Sequence, residues 1–454
     1  MNVAISTPPA PARSSSVHRS ILRAAVSVGA AGVVVKLFGT AKEIAVASAF
    51  GRSDAMDAFL AAALIPSLLV NLISESMNQA LVPTLIRVRE REGHARAQEL
   101  LSSSMLWMCL LLGAATLAMA LLAHLIFPLM ASNFPPAKLA LAIRLFYALL
   151  PIVLITGVAT NCTAILNTLD HFALPALAPA VISISMILAA IFLTGRLGIW
   201  AMAAAMLAGS LLHAVIVAWA MGRHGYRFRL RWHGNNEATR EVAGQYGPVL
   251  LSSLVTSGGL LVDQAMAAML AAGSVSALVY ANRFVSVVLS LLAGAVSTAI
   301  VPYLSRLIAH RDWAACQQTL RTWLRLTALA SIPVAMLLIA VAHPLVRVAY
   351  QHGRFGPHDT TVVASVLAMF AMQIPFYVVS RIDYRFIVAM RRTDLILYCG
   401  AINLGLDVVL NLVLMRWFGV AGIALATSLW MMSTAVFLHY WARTLLRRAA
   451  AEEN

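Results

Sequence analysis

Charged side chains stand inside otherwise apolar segments of this chain, and they are the residues best placed to do chemistry. Lys36, Lys42, Glu43, Asp57 and Glu75 crowd two apolar stretches joined by the turn GRSDAMD, Arg283 stands in a third, and Arg381 and Arg385 lie four apart in a fourth. A charge at a bilayer centre costs about 2.5–3.5 kcal/mol on insertion scales, so it faces water, a partner or a ligand. Lys36 and Glu43, seven apart, share a helix face, and Asp57 and Glu75 are candidate partners for the two lysines. One reading is a buried ion-pair cluster that joins two helices. The other is a hydrated, basic cavity for an anion, with Arg283 adding a cation and with Arg381 and Arg385 on one face. Guanidinium groups suit phosphate oxygens through paired hydrogen bonds. Arg144 and Arg325, near helix ends, are read as snorkelling to the interface.

A second constellation is acidic. Asn403 and Asp407 are four apart and project from one helix face, Asp263 lies in an earlier apolar stretch with no basic residue near it, and Thr427 adds a hydroxyl. These hard oxygen donors suit an alkali or alkaline-earth cation or a proton. Interhelical hydrogen bonding is the plainer alternative. No HExxH, GxSxG or phosphate-loop pattern is present, and the twelve histidines are scattered. The four cysteines (Cys109, Cys162, Cys316, Cys399) fit neither a zinc site nor a disulfide framework.

Hydropathy names the elements that must hold these residues. The 454 residues are 61% hydrophobic and 11% charged, where soluble domains carry about 25% charged residues. The net charge of +15 sits in short loops between apolar stretches, which excludes a nucleic-acid surface. A bilayer core about 30 Å thick needs about 20 apolar residues per helix. Twelve candidate spans follow, at 24–50, 56–85, 101–130, 139–166, 173–194, 199–221, 246–271, 275–304, 321–346, 360–389, 394–416 and 419–442. With the N-terminus inside, the inner segments carry 20 basic residues and the outer ones 6, so both termini are expected in the cytoplasm.

The chain also echoes itself. ALVPTLIR (80–87) and AIVPYLSR (299–306) match at five of eight positions. Pro151 and Asp170 are echoed by Pro375 and Asp394, and LGIWA (197–201) by FGVAG (418–422). The expected architecture is all-α, with about twelve transmembrane helices in two pseudo-symmetric halves of six. The boundaries are a disordered cytoplasmic tail (1–20), a first half (21–222), a basic cytoplasmic linker (223–244), a second half (245–446) and a tail (447–454). A parallel repeat of this kind places substrate between the halves. No cleavable leader is expected, because the first apolar stretch contains Lys36, Lys42 and Glu43.

The segments KLFGTAKEIAVASAFG (36–51), DAFLAAALIPSLL (57–69), ESMNQALVP (75–83), AILNTLDHFALPALAP (164–179), GSVSALVYANR (273–283) and YQHGRF (350–355) resemble the MurJ/MviN family, lipid II flippases of the MOP transporter superfamily. The resemblance covers roughly residues 20–446. It implies the MOP fold and movement of polyprenyl-pyrophosphate-linked sugars from the cytoplasmic to the outer leaflet by alternating access. It adds Ser276 to the substrate set of Lys36, Lys42, Glu43, Asp57, Glu75, Arg283, Arg381 and Arg385. It also implies a sodium site at Asp263, Asn403, Asp407 and Thr427 with the carbonyl of Ile423, sodium or a proton being the coupling ion. The family's arginine pair on the second helix falls on Val70 and Asn71, and its Asp-Arg on the eighth becomes Asn282-Arg283. The chain ends after the twelfth span, where lipid II flippases carry two more helices, so a related lipid-linked oligosaccharide is a rival cargo.

The expectation is therefore a monomeric transporter, not an enzyme, in a bacterial inner membrane. Its partners are membrane lipids and a polyprenyl-pyrophosphate-linked saccharide, with no nucleic acid. The alternatives are a cation-coupled exporter of small amphiphiles and a non-transporting scaffold for envelope enzymes.

Overall fold

The computed structural model describes residues 14–451 except 132, 170, 235 and 391. Asp170, one member of an echo pair, and Arg391 lie outside the described residues, as do residues 1–13 of the expected tail. The rest of that tail is helical: α1 starts at Ser14 and ends at Phe50.

Eleven more helices follow. They are α2 (Asp54–Glu92), α3 (His94–Met130), α4 (Pro136–Thr168), α5 (Ala173–Phe192), α6 (Trp200–Arg223), α7 (Glu237–Ala268), α8 (Ser274–Ala309), α9 (Trp313–Ala340), α10 (Pro357–Ala389), α11 (Thr393–Phe418) and α12 (Val420–Ala451). A short helix, Ala342–Tyr350, links α9 to α10. Among the described residues ten helices are long and apolar enough to cross a membrane, and they fall on ten of the twelve expected spans. The first expected span lies within α1, and the seventh falls on α7 but runs three residues past its end at Ala268; both helices are outside that ten.

Local sequence sets the helix ends. Ser53, extended at φ −84° and ψ 157°, caps α2 by accepting from Met56 N, with Asp54 and Asp57 in the first turn where the helix dipole favours acids. Asn236 and Asp312 cap α7 and α9 in the same way. Inside α2, Pro66 precedes a π-helical turn, Val70–Glu75, which rotates the rest of the helix relative to an unbroken one.

Packing repeats between the halves. α1 lies on α5 as α7 lies on α11; α6 packs on α4 and α5 as α12 packs on α10 and α11. The sequence echoes have structural counterparts. Pro151 and Pro375 each open the second segment of a broken helix, α4 and α10, since proline has no N–H to bond to the preceding turn. Gly198 and Gly419 precede α6 and α12 with nearly identical backbones, φ 56° with ψ −136° and φ 56° with ψ −135°. A side chain is strained there. The fold is thus a two-halved helical membrane bundle.

Candidate functional site

A cavity of about 580 Å³ is walled by α7, α8, α10, α11 and α12, with Glu43 of α1 at its edge. It holds two guanidinium groups, Arg283 and Arg381, and three carboxylates, Glu43, Asp263 and Asp407. Arg283 reaches out of α8 to α1, where its Nη2 donates to the carbonyl of Lys36 at 3.3 Å. Gly39 makes that approach possible, because a Cβ there would fall on the guanidinium. Arg381 is braced by Tyr377, whose hydroxyl accepts from Nη2 at 2.8 Å and whose ring lies 4.5 Å from the guanidinium carbon.

Lys36 and Lys42 were expected beside Arg283 in one cavity, and neither lines this one. Lys42 turns onto Glu43 at 2.7 Å. Adjacent residues on a helix point about 100° apart, so Glu43 faces inward while Lys42 leans onto it from outside. Arg385 was expected to share a face with Arg381, yet it is exposed and absent from the cavity wall, one turn further along α10. Glu75 stands exposed in the π-helical turn of α2, beyond the cavity. Val70, where the family carries an arginine, is buried.

Asp57 meets none of the lysines of α1. Its carboxylate is buried and accepts from the backbone N–H of Gly273 at 2.6 Å, the N–H of Ser276 at 2.9 Å and the Lys138 ammonium at 3.1 Å. Lys138 also pairs with Asp54 at 2.7 Å. Lys138, one residue before the expected span 139–166, is buried in the first turn of α4. Arg52 completes this junction by donating to the carbonyl of Gly273 at 2.9 Å and pairing with Asp359 at 3.4 Å. Asp57 and Ser276 are thus brought together, as a latch between the starts of α2 and α8, away from the cavity.

The acidic constellation converges in part. Asp263 and Asp407 face one another across the amide of Asn411, whose Nδ2 donates to Asp263 at 2.9 Å and to Asp407 at 3.1 Å. Thr427 donates to Asp263 at 3.1 Å, and the carbonyl of Ile423 lies 3.1 Å from the same hydroxyl. Asn403 instead turns its amide to Thr434 at 2.7 Å and Cys399 at 3.4 Å. Asn411 was missed, although the i, i+4 spacing that linked Asn403 to Asp407 also links Asp407 to Asn411. Asp407 Oδ2 and Asn411 Oδ1 are buried without a hydrogen-bond partner, which fits a small hard cation or a shared proton. Among the described residues no three His, Cys, Asp or Glu gather as a metal site, so such an ion would be held by two carboxylates helped by neutral oxygens.

A two-halved helical bundle around a charged, membrane-embedded cavity is the build of a membrane transporter. The profile of the family described as lipid II flippase MurJ matches residues 46–451. A lipid II flippase MurJ from Burkholderia cenocepacia is 28% identical over 369 residues, covering 78% of this chain and 70% of its own. A probable lipid II flippase MurJ from Buchnera aphidicola is 25% identical, with 90% and 81% covered. Among solved structures, a lipid II flippase MurJ in an inward closed conformation superposes with a TM-score of 0.80 at 24% identity, covering 92% of this chain and 87% of that one. An inward-facing multidrug MATE transporter of the MOP superfamily gives 0.79 at 14% identity, covering 94% and 99%. The chain belongs to the lipid II flippase MurJ family.

Proposed function

We propose that this protein translocates a polyprenyl-pyrophosphate-linked glycan precursor of the cell envelope, lipid II or a related lipid-linked oligosaccharide, from the cytoplasmic to the outer leaflet of a bacterial inner membrane. The observation that carries the reading is the cavity in which Arg283 and Arg381 present guanidinium groups inside a membrane bundle of this family. An anion accounts for cations held there at a cost. Lys36, whose carbonyl accepts from Arg283, adds a further cation on the α1 side, while Lys42 is paired with Glu43. The chain works as a monomer, crosses the membrane twelve times with both termini cytoplasmic, and alternates access by rocking residues 21–222 against 245–446 about the linker 223–244. Asp263, Asp407, Asn411 and Thr427 take a sodium ion or a proton whose binding biases that motion, because an ion shifts a two-state equilibrium only by its differential affinity for the two states.

One observation favours a second reading, export of small amphiphiles. The cavity has more carboxylates than guanidinium groups and carries Tyr377, Tyr384 and Trp430 on its wall, which suits an aromatic cation. Depletion in the native host separates the two. A flippase defect accumulates lipid-linked precursor on the cytoplasmic side and is rescued by the wild-type gene but not by Arg283→Ala. Normal precursor levels on depletion, with heightened sensitivity to cationic amphiphiles, would favour the second reading.

A further inference from the structure

Between α6 and α7 the described chain is neither helix nor strand, and residues 226–232 read YRFRLRW, apolar and basic in strict alternation. Arg227, Arg229 and Arg231 alternate along it with Phe228, Leu230 and Trp232, and all six side chains are exposed. The strap is fixed on α3. Gln98 clamps the backbone of Arg227 twice, donating to its carbonyl at 2.9 Å and accepting from its N–H at 2.8 Å, and the N–H of His233 donates to Ser103 at 3.2 Å. Trp232 then meets Trp107, their rings edge to face with centroids 5.9 Å apart. From Gln98 to Trp107 the strap therefore follows α3 for about 13 Å, at 1.5 Å per residue, from its polar first turns into the apolar run MLWMCLLLGAA.

That descent sets its depth. Trp107 is 47% exposed and Trp232 42%, with Phe228 and Leu230 at 46% and 50%, and tryptophans at the edge of an apolar span mark the membrane–water boundary. The three arginines follow the same descent, and all are exposed. Among the described residues none of them has a carboxylate partner. The carboxylates Glu99 and Glu241 are taken by Arg96 and Arg87.

We propose that the strap 226–233 is a binding site for anionic phospholipid headgroups, with Arg227, Arg229 and Arg231 on the phosphodiesters and Phe228, Leu230 and Trp232 seated among the upper acyl chains. Three unpaired guanidinium groups beside three apolar side chains at membrane depth match a negatively charged, amphiphilic surface in both charge and polarity. The occupant is lipid rather than an acidic protein, because the apolar side chains are as exposed as the basic ones and sit where acyl chains begin. The site tethers the linker between the halves to the bilayer, and it stands independently of what the protein transports.

The test uses the full chain in nanodiscs of phosphatidylcholine with or without phosphatidylglycerol, one lipid brominated at a time. Quenching of Trp232 is read as the difference between wild type and Trp232→Phe. Brominated phosphatidylglycerol should quench Trp232 more than brominated phosphatidylcholine does. Replacing Arg227, Arg229 and Arg231 by Gln should erase that preference, by roughly fivefold for each arginine removed, while Trp232 stays within reach of both lipids and the unfolding temperature is unchanged. Equal quenching by the two lipids in wild type, a preference that survives the triple replacement, or a Trp232 that neither lipid quenches would overturn the proposal. The last outcome would leave an acidic protein as the strap's partner.

Discussion

At the scale of single residues, the charges divide by what meets them. Asp57 has three donors on its carboxylate, so its role in the latch is structural. Asp57→Ala leaves buried Lys138 with Asp54 as its remaining carboxylate among the described residues, and losing one partner of a buried pair costs about 3 kcal/mol. Ser276→Ala keeps the backbone N–H that bonds Asp57 and loses only a hydroxyl bond to the carbonyl of Gly273, which is worth about 1 kcal/mol. Thermal unfolding in detergent should show the first variant far less stable than the second; equal losses would contradict the latch. Asn411→Ala removes the amide that bridges Asp263 and Asp407. Its stability should fall in sodium-free buffer and recover with sodium or with acid, since either relieves two facing carboxylates. A loss that is the same at every sodium concentration and pH would reduce the cluster to helix packing. The residue types were legible in the sequence, but their partners were not. Pairing depends on how neighbouring helices rotate against each other, which put Lys138 rather than Lys36 against Asp57 and turned Asn403 away to Thr434.

At the scale of elements, sequence and structure agree best where hydropathy and proline act alone. Apolar length placed the spans, and Pro151 and Pro375 placed matching breaks in α4 and α10 because a missing N–H acts locally. The π-helical turn of α2 was invisible. Its end leaves Glu75 exposed, away from the charges it was expected to meet. The strap was legible only as a run of positive charge, and its clamp on Gln98 needed the fold. One contact between the halves lends itself to a direct test. The hydroxyl of Ser76 on α2 donates to that of Ser253 on α7 at 3.0 Å, along a seam that Arg87 and Glu241 also bridge. With cysteines at both positions, oxidation should cross-link α2 to α7 and stop transport, and reductant should restore it. Undiminished transport by the cross-linked protein would mean that α2 and α7 do not part during the cycle.

At the scale of the whole molecule, two of the sets of contacts that join the halves stand out. One is the junction of Asp57, Arg52 and Asp359 with the start of α8; the other is the seam between α2 and α7. In the proposed alternating access the two sets would not break together. The halves were readable from three short echoes, because repeated turns and kinks need repeated residues. The position of the cavity within the second half was not, since it depends on which faces of five helices converge. The most direct test of the central claim is translocation by purified protein in sealed vesicles, with a polyprenyl-pyrophosphate disaccharide placed in one leaflet and its arrival in the other read by an impermeant glycosidase. Wild type should deliver the glycan to the enzyme in a sodium- or proton-dependent manner, and Arg283→Ala should fail to do so while remaining folded. A wild-type protein that leaves the glycan in its starting leaflet but extrudes a cationic dye from the same vesicles would contradict the account.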